Sequence, residues 1–154
     1  MMPSNPQDTD ALIDHILSRY HAVHRQQVPE LTRLARLVEK THADHPDTPH
    51  GLAALLASIA SEMEAHMRKE EEGLFPELRR RERDMASAVD LMRDEHEDHT
   101  LRLKELEILT HGHKPPEDAC GNWRALYAGT AQFAVDLREH IRLENELLFP
   151  CCGG

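Results

Sequence analysis

The sequence is poor in cysteine and in positive charge, and it has no long apolar run. Its three cysteines among 154 residues are too few for a disulfide framework, and none lies in a CxxC pair. Lysine and arginine number 18 against 28 acidic residues, a formal charge of −10, which opposes binding to nucleic-acid phosphates. No apolar run reaches the roughly 18 residues of a membrane-spanning helix, and the first residues, MMPSNPQDTD, do not resemble a secretory signal. We therefore expect a cytoplasmic protein that binds neither nucleic acid nor membrane.

Four segments have the period of an amphipathic helix, at about residues 10–40, 51–80, 84–110 and 120–148. Short stretches with Pro, Gly or His separate them, and no segment alternates as a half-buried strand would. The sequence therefore predicts an all-α, up-down-up-down four-helix bundle. We expect it to span residues 10–150, between a disordered tail at 1–9 and a Cys-Cys tail at 151–154. Pro29 should kink or restart the first helix because proline removes a backbone donor.

The second and fourth helices contain the same phrase, HMRKEEEGLFP and HIRLENELLFP. In each copy a glutamate follows a histidine by four residues, which places both side chains on one helix face. His66 and His140 are 74 residues apart, and the other two helices carry inward-facing histidines, His21 and His96, that are 75 apart. The chain is therefore interpreted as two copies of a helical hairpin.

The sequence has twelve histidines but only one Trp, two Tyr and three Phe. Helical periodicity indicates which of the histidines face the interior. The apolar period assigns six polar residues to the interior, where unpaired imidazoles and carboxylates are costly to bury. They are His21, His66, Glu70, His96, His140 and Glu144. A lone histidine there is usually a hydrogen-bonded core residue, but a repeated set favours coordination. Two metal ions would suit four terminal imidazoles and two bridging carboxylates, and this donor set fits iron, manganese or zinc, with iron favoured.

Further residues have open roles. His24 and His99 lie on the same inward stripe as additional ligands or as partners of ligands. Glu62 and Asp136, four residues before His66 and His140, either orient those imidazoles or are exposed.

The other polar residues are expected outside the site. His42 should lie roughly 30 Å along the helix from His21. We interpret the Phe of each LFP as a core residue. The side chains expected in solvent are Glu71, Glu72, Asn145, Glu146, His15, His45, His50, His111 and His113.

These motifs resemble the hemerythrin-like (HHE) cation-binding domain. More closely, RYHAVHRQQVPEL, VEKTHADHP, HMRKEEEGLFP, DEHEDH and HIRLENELLFP resemble the RIC family (repair of iron centres), over residues 11–150. Many members of that family also carry an N-terminal domain with two adjacent cysteines. We expect no such domain here, because the helical pattern begins near residue 10; the adjacent cysteines in this sequence are Cys151 and Cys152, for which a redox or iron-transfer role and an inert tail are both open.

The resemblance implies a non-haem di-iron centre with an oxo or hydroxo bridge. It assigns the four histidines His21, His66, His96 and His140 as terminal ligands and the two glutamates Glu70 and Glu144 as bridges. It further implies repair of iron-sulfur clusters damaged by nitric oxide or peroxide, through iron donation or through NO binding or reduction. Damaged iron-sulfur proteins would be transient partners of a monomer or homodimer.

Two other classes of protein remain open as alternatives. A reversible O2 or NO binder of the hemerythrin type would use five histidines and two carboxylates, one histidine more than the core set here. A ferritin-like oxidase would use Glu-x-x-His at i, i+3, whereas this chain has His-x-x-x-Glu at i, i+4; a zinc-holding structural bundle would differ in its metal.

Overall fold

Four long helical rods form the protein and confirm the predicted all-α bundle. The structure is a computed structural model that describes residues 6–82 and 84–151. No strand occurs within those residues. The α-helical elements are α1 (Pro6–Ile16), α2 (Ala22–Thr41), α3 (Leu52–Lys69), α4 (Phe75–Arg79), α5 (Ala86–Leu109) and α6 (Gly121–Arg142).

Three of the four rods contain a π-helical turn. One spans Leu17–His21 between α1 and α2, one spans Glu70–Leu74 between α3 and α4, and one spans Leu143–Leu148 after α6. A π turn adds one residue to a helical turn and is frequent at functional sites. Helical periodicity did not predict these turns. Helix α2 continues through Pro29, so the predicted restart at this proline is wrong.

The ends of the chain differ in part from the expected tails. Helix α1 begins at Pro6, so residues 6–9 are helical rather than part of a disordered tail. Residues 1–5 lie outside the described residues. At the other end, a short 3-10 helix spans Phe149–Cys151, and residues 152–154 of the expected Cys-Cys tail lie outside the described part of the chain.

The rods pack as a closed ring of neighbours. Helix α2 packs against α3 and α6, and α5 packs against the same two helices. The loop before α3 ends at Gly51, whose φ of 92° lies in the left-handed region that glycine adopts without steric cost. No helix in residues 6–82 and 84–151 is both long enough and apolar enough to cross a membrane.

The core consists of two apolar clusters. The larger one includes Leu56, Leu103 and Trp123, and the smaller one includes Phe75 and Phe149. Each rod passes from one cluster to the other through buried polar residues. In this way the fold places a polar layer across the middle of an otherwise apolar core. Burial of those polar groups is costly unless hydrogen bonds, opposite charges or metal ions compensate for the lost water contacts.

Candidate metal centre

The structure brings all six sequence-predicted site residues into that polar layer. Each of the six is at most 2% exposed. His21 ends the first π turn, Glu70 begins the second, and Glu144 lies in the third. The π turns therefore coincide with three of the six residues. The set is His21, His66, Glu70, His96, His140 and Glu144.

The polar layer has two halves, one with His21 and His140 and the other with His66 and His96. Each glutamate faces one histidine of each half. Glu70 Oε1 lies 3.1 Å from His21 Nε2, and its Oε2 lies 3.4 Å from His66 Nε2. Glu144 Oε1 lies 2.8 Å from His96 Nε2, and its Oε2 lies 2.9 Å from His140 Nε2. One carboxylate oxygen is thus directed to each half, which is the arrangement that a bridging carboxylate requires.

Two overlapping groups of ligand atoms result. One comprises His21, Glu70, His140 and Glu144, and the other comprises His66, Glu70, His96 and Glu144, with ligand atoms within 4.8 Å of one another in each group.

The second group holds the orphaned atoms of the layer. His66 Nε2, His96 Nε2, Glu70 Oε2 and Glu144 Oε1 are buried and have no hydrogen-bond partner among the described residues. They approach one another without hydrogen-bonding geometry. Buried polar atoms without partners are rare in native proteins, and a cation among these four atoms would satisfy them. The residues present therefore fit a bound metal ion.

Burial and mutual charge shift the pKa values of these groups in the metal-free protein. Burial, reinforced by His140, lowers the pKa of His21 to about 4. Burial also opposes the charged form of His66, but Glu144 and Glu70 outweigh it and raise the pKa of His66 to about 11. Burial and the nearby Glu144 hold the pKa of Glu70 well above its usual range. The metal-free layer therefore holds protons that a metal ion would displace.

The second ring nitrogen of each histidine contacts a different partner. His21 Nδ1 lies 2.7 Å from Glu71, and His66 Nδ1 lies 2.7 Å from Glu95. These contacts leave the Nε2 atoms free for the interior, and such partners fix the tautomer and the orientation of a metal ligand.

The remaining two histidines use neutral partners. His96 Nδ1 lies 2.8 Å from the Asn145 carboxamide oxygen, and His140 Nδ1 lies 3.1 Å from His24 Nε2. Glu71 and Asn145 were expected in solvent, and that prediction is wrong. They occupy the same position of the repeat, directly after Glu70 and Glu144, which is the signal that could have identified them.

Glu62 and Asp136 do not contact the histidines four residues after them. Glu62 pairs with Arg102 at 2.7 Å, because that guanidinium reaches it from α5. Asp136 accepts hydrogen bonds from Arg19 and Gln27. Of the two alternatives left open for these acids, direct orientation of the imidazoles is not found for either residue, and Asp136 is buried rather than exposed.

A guanidinium holds the partner of His21 in place. Arg25 donates to both oxygens of Glu71 and to both oxygens of Glu64. On the other side of the layer, Lys69 donates to Glu95 at 2.5 Å, and Lys69 is half exposed. The partner of His21 is therefore held by a forked contact from a guanidinium that Glu64 also binds, while the partner of His66 is held by one ammonium group.

The other histidines divide into buried, paired and exposed groups. His24 and His99 are buried, but neither belongs to the two ligand groups. His42, outside the site as expected, lies 3.2 Å from Cys120 Sγ. His45 and His113 were expected in solvent; both lie in loops but are only partly exposed, because His45 pairs with Asp118 and His113 contacts Thr130. The exposed histidines, as predicted, are His15, His50 and His111.

A family model described as the Hemerythrin HHE cation binding domain matches residues 12–152. The chain belongs to this family. Its buried histidine and glutamate groups fit the cation-binding role for which the family is named, and the sequence-based recognition is confirmed.

Curated relatives of the chain are iron-sulfur cluster repair proteins named YtfE. The protein from Musicola paradisiaca is 46% identical over 140 residues, covering 90% of this chain and 63% of the relative. The protein from Yersinia pseudotuberculosis serotype O:1b is 49% identical over 140 residues, with the same coverage of both chains. This chain thus spans somewhat less than two thirds of the length of these relatives.

Proposed function

We propose that this chain binds two iron ions and uses them to repair iron-sulfur clusters damaged by nitric oxide or peroxide. The observation that carries the proposal is the position of Glu70 and Glu144, whose two carboxylate oxygens each face a different histidine pair. The names of the relatives as iron-sulfur cluster repair proteins support the repair role.

The six residues divide between two ion positions. His21 and His140 would hold one ion, and His66 and His96 would hold the other, while Glu70 and Glu144 would bridge both. Four imidazoles and two carboxylates do not fill the coordination of two iron ions, and so exchangeable positions remain. When bound, the two ions supply electron exchange and positions at which a small ligand such as nitric oxide binds.

Iron-sulfur proteins with damaged clusters are the clients in this proposal, and we place the protein in the cytoplasm with them. Imidazole ligands suit iron donation because their protonation weakens coordination. NO binding or reduction at the same ions is the second branch of the proposed activity. Both branches use the same six residues, so one set of variants tests them together.

Reversible binding of O2 by a five-histidine centre is disfavoured by the positions of the two remaining inward histidines. His24 Nε2 is directed to His140 Nδ1 at 3.1 Å, and the ring of His99 meets His66 edge-on. Neither residue joins the ligand groups among the described residues. In the proposed centre each ion would therefore have two histidine ligands.

Metal analysis of protein purified from iron-supplemented cells is the first test. We expect two iron ions per chain, and the loss of at least one in Glu144→Leu; zinc in their place or unchanged stoichiometry in the variant would contradict the assignment. The second test mixes iron-loaded protein with a nitric-oxide-damaged iron-sulfur dehydratase. Recovery of dehydratase activity should exceed that given by the same amount of free Fe²⁺, and Glu144→Leu should give no excess.

A further inference from the structure

We propose that His24 is a positioning residue that, together with Gln27 and Asp136, orients His140 and retains the ion that His140 binds. The proposal rests on the ligand role given to His140 above. His24 is 1% exposed and lies three residues after His21. Its ring is nearly parallel to the ring of His140, with centroids 5.2 Å apart and planes 23° from parallel.

A continuous chain of hydrogen bonds leads from His140 toward the surface. His140 Nδ1 and His24 Nε2 are 3.1 Å apart, and His24 Nδ1 lies 3.2 Å from Gln27 Oε1. The Gln27 amide then donates to Asp136 Oδ2 at 2.8 Å. Arg19 donates to the other oxygen of Asp136 at 3.0 Å and is itself exposed. This series of hydrogen bonds therefore ends on a carboxylate that has a cationic partner.

The direction of every bond in this chain is fixed by its two ends. His140 Nε2 faces Glu144 and the interior, so a metal bound there leaves the proton of the neutral ring on Nδ1. That N–H donates to His24 Nε2, and His24 consequently carries its own proton on Nδ1 and donates it to the Gln27 carbonyl. Gln27 in turn presents its amide N–H groups to Asp136. Each member has one donor and one acceptor in the required place, which makes His24 a neutral counterpart of the carboxylates that contact His21 and His66.

The second half of the repeat lacks this arrangement. His99 follows His96 by three residues, as His24 follows His21, and it is 5% exposed. Its ring meets that of His66 edge-on, with centroids 4.9 Å apart and planes 77° apart. Within the described residues no hydrogen bond joins His99 to His66, whose Nδ1 contacts Glu95 instead. His99 is therefore a matched control with the same residue type, a similar burial and an equivalent repeat position.

The test is the rate at which iron leaves the protein. Wild type, His24→Ala and His99→Ala are loaded anaerobically with Fe²⁺, and release is followed after addition of an excess of a colorimetric Fe²⁺ chelator. Loss of a partner of a metal-ligating histidine typically weakens metal binding about 10- to 100-fold. We expect one of the two ions to leave His24→Ala at least about 10-fold faster, while both ions leave His99→Ala at close to the wild-type rate.

Rescue by a conservative variant separates positioning from packing. In His24→Gln the carboxamide oxygen can accept the His140 Nδ1 proton, so release should return most of the way to the wild-type rate. Gln27→Ala removes the next bond and should accelerate release of the same ion to a smaller extent. If His24→Ala does not fold, His24→Gln and Gln27→Ala carry the test, because fast release from Gln27→Ala and slow release from His24→Gln are expected together.

Three results would overturn the inference. They are wild-type release from folded His24→Ala, equal acceleration in His99→Ala, and wild-type release from Gln27→Ala. A wild-type chain that binds no iron would overturn the proposed function and this inference together. Two ions in the wild type with no effect of His24→Ala would overturn the inference alone.

Discussion

The ring of Phe75 lies over the imidazole of His21, with ring centroids 5.7 Å apart and planes 20° from parallel. The second copy of the repeat has the same relationship, since Phe149 stacks on His96 at 5.8 Å and 7°. Each phenylalanine comes from an LFP phrase. Both were expected only to close the core, and both also pack on a candidate ligand from another rod.

Phe75→Leu should lower the free energy of unfolding by about 1–2 kcal/mol, through lost ring contact and imperfect filling of the site. Chemical denaturation of the metal-free protein measures this loss. Phe149→Leu, at the equivalent position, should give a similar loss. A loss at one position only would contradict the symmetric role assigned to the two rings.

Stability of the metal-free protein should depend on pH on both sides of about 6.5. Burial, with repulsion from His140, lowers the pKa of His21 to about 4. Between pH 6.5 and 4 the unfolded chain therefore binds more protons at this position, and the free energy of unfolding decreases as pH falls. Burial opposes protonation of His66, but Glu144 and Glu70 raise its pKa to about 11. Above pH 6.5 the folded protein binds the extra proton, so stability also decreases as pH rises.

Urea titrations of the metal-free protein at pH 5, 6.5 and 9 would measure this dependence. We expect the largest free energy of unfolding at pH 6.5. The iron-loaded protein is the control, because a metal ion replaces the proton of His66 and should remove the decrease between pH 6.5 and 9. A metal-free protein whose stability still increases from pH 6.5 to 9 would contradict the shift assigned to His66.

Glu70→Leu should weaken both metal binding and metal-free stability. The Glu70 carboxyl is fully buried and faces His21 and His66, so removing it alone leaves buried imidazoles without this partner and should lower the free energy of unfolding of the metal-free protein by about 1–3 kcal/mol. Added metal should raise the Tm of the variant less than it raises the Tm of the wild type. Thermal unfolding with and without a chelator tests both effects. In the wild type, removal of two ions should lower Tm by about 10–20 °C if each is present at roughly 100 times its Kd.

Arg25→Lys should weaken the support of His21. The Arg25 guanidinium makes forked contacts with Glu71 and Glu64, which a single ammonium group cannot reproduce. We expect a loss of about 1 kcal/mol in unfolding free energy, together with faster release of one iron ion. The control is Arg33→Lys, which alters an exposed pair with Glu30 on the same helix and should change neither quantity measurably. Equal effects of the two substitutions would contradict a specific role for Arg25.

Helical periodicity predicted the four rods and the six residues of the polar layer because burial repeats with the turn of a helix. It did not predict which groups contact the outer ring nitrogens. Glu71 and Asn145 each lie within a π turn, where the extra residue changes the angular position of the side chains that follow. A projection with 3.6 residues per turn therefore assigned them to solvent.

Helical periodicity also could not predict which side chains contact one another between rods. Glu95 precedes His96 on α5 but contacts His66 on α3. His24 and His99 are equivalent in the repeat, yet within residues 6–82 and 84–151 only His24 hydrogen-bonds to a histidine nitrogen. Repetition in sequence thus located the layer, and differences between the two copies determine how each histidine is held.

The polar layer between the two apolar clusters also bears on the cooperativity of unfolding. In a bundle with one continuous core, loosening one end disturbs packing along the whole length. Here the cluster around Phe75 and the cluster around Trp123 meet through His and Glu side chains, so ions that join all four rods at that level would link the two ends mechanically. We expect amide hydrogens at both ends to exchange together in the loaded protein and at separate rates after metal removal. Metal occupancy would then determine whether the chain opens as one unit or as two.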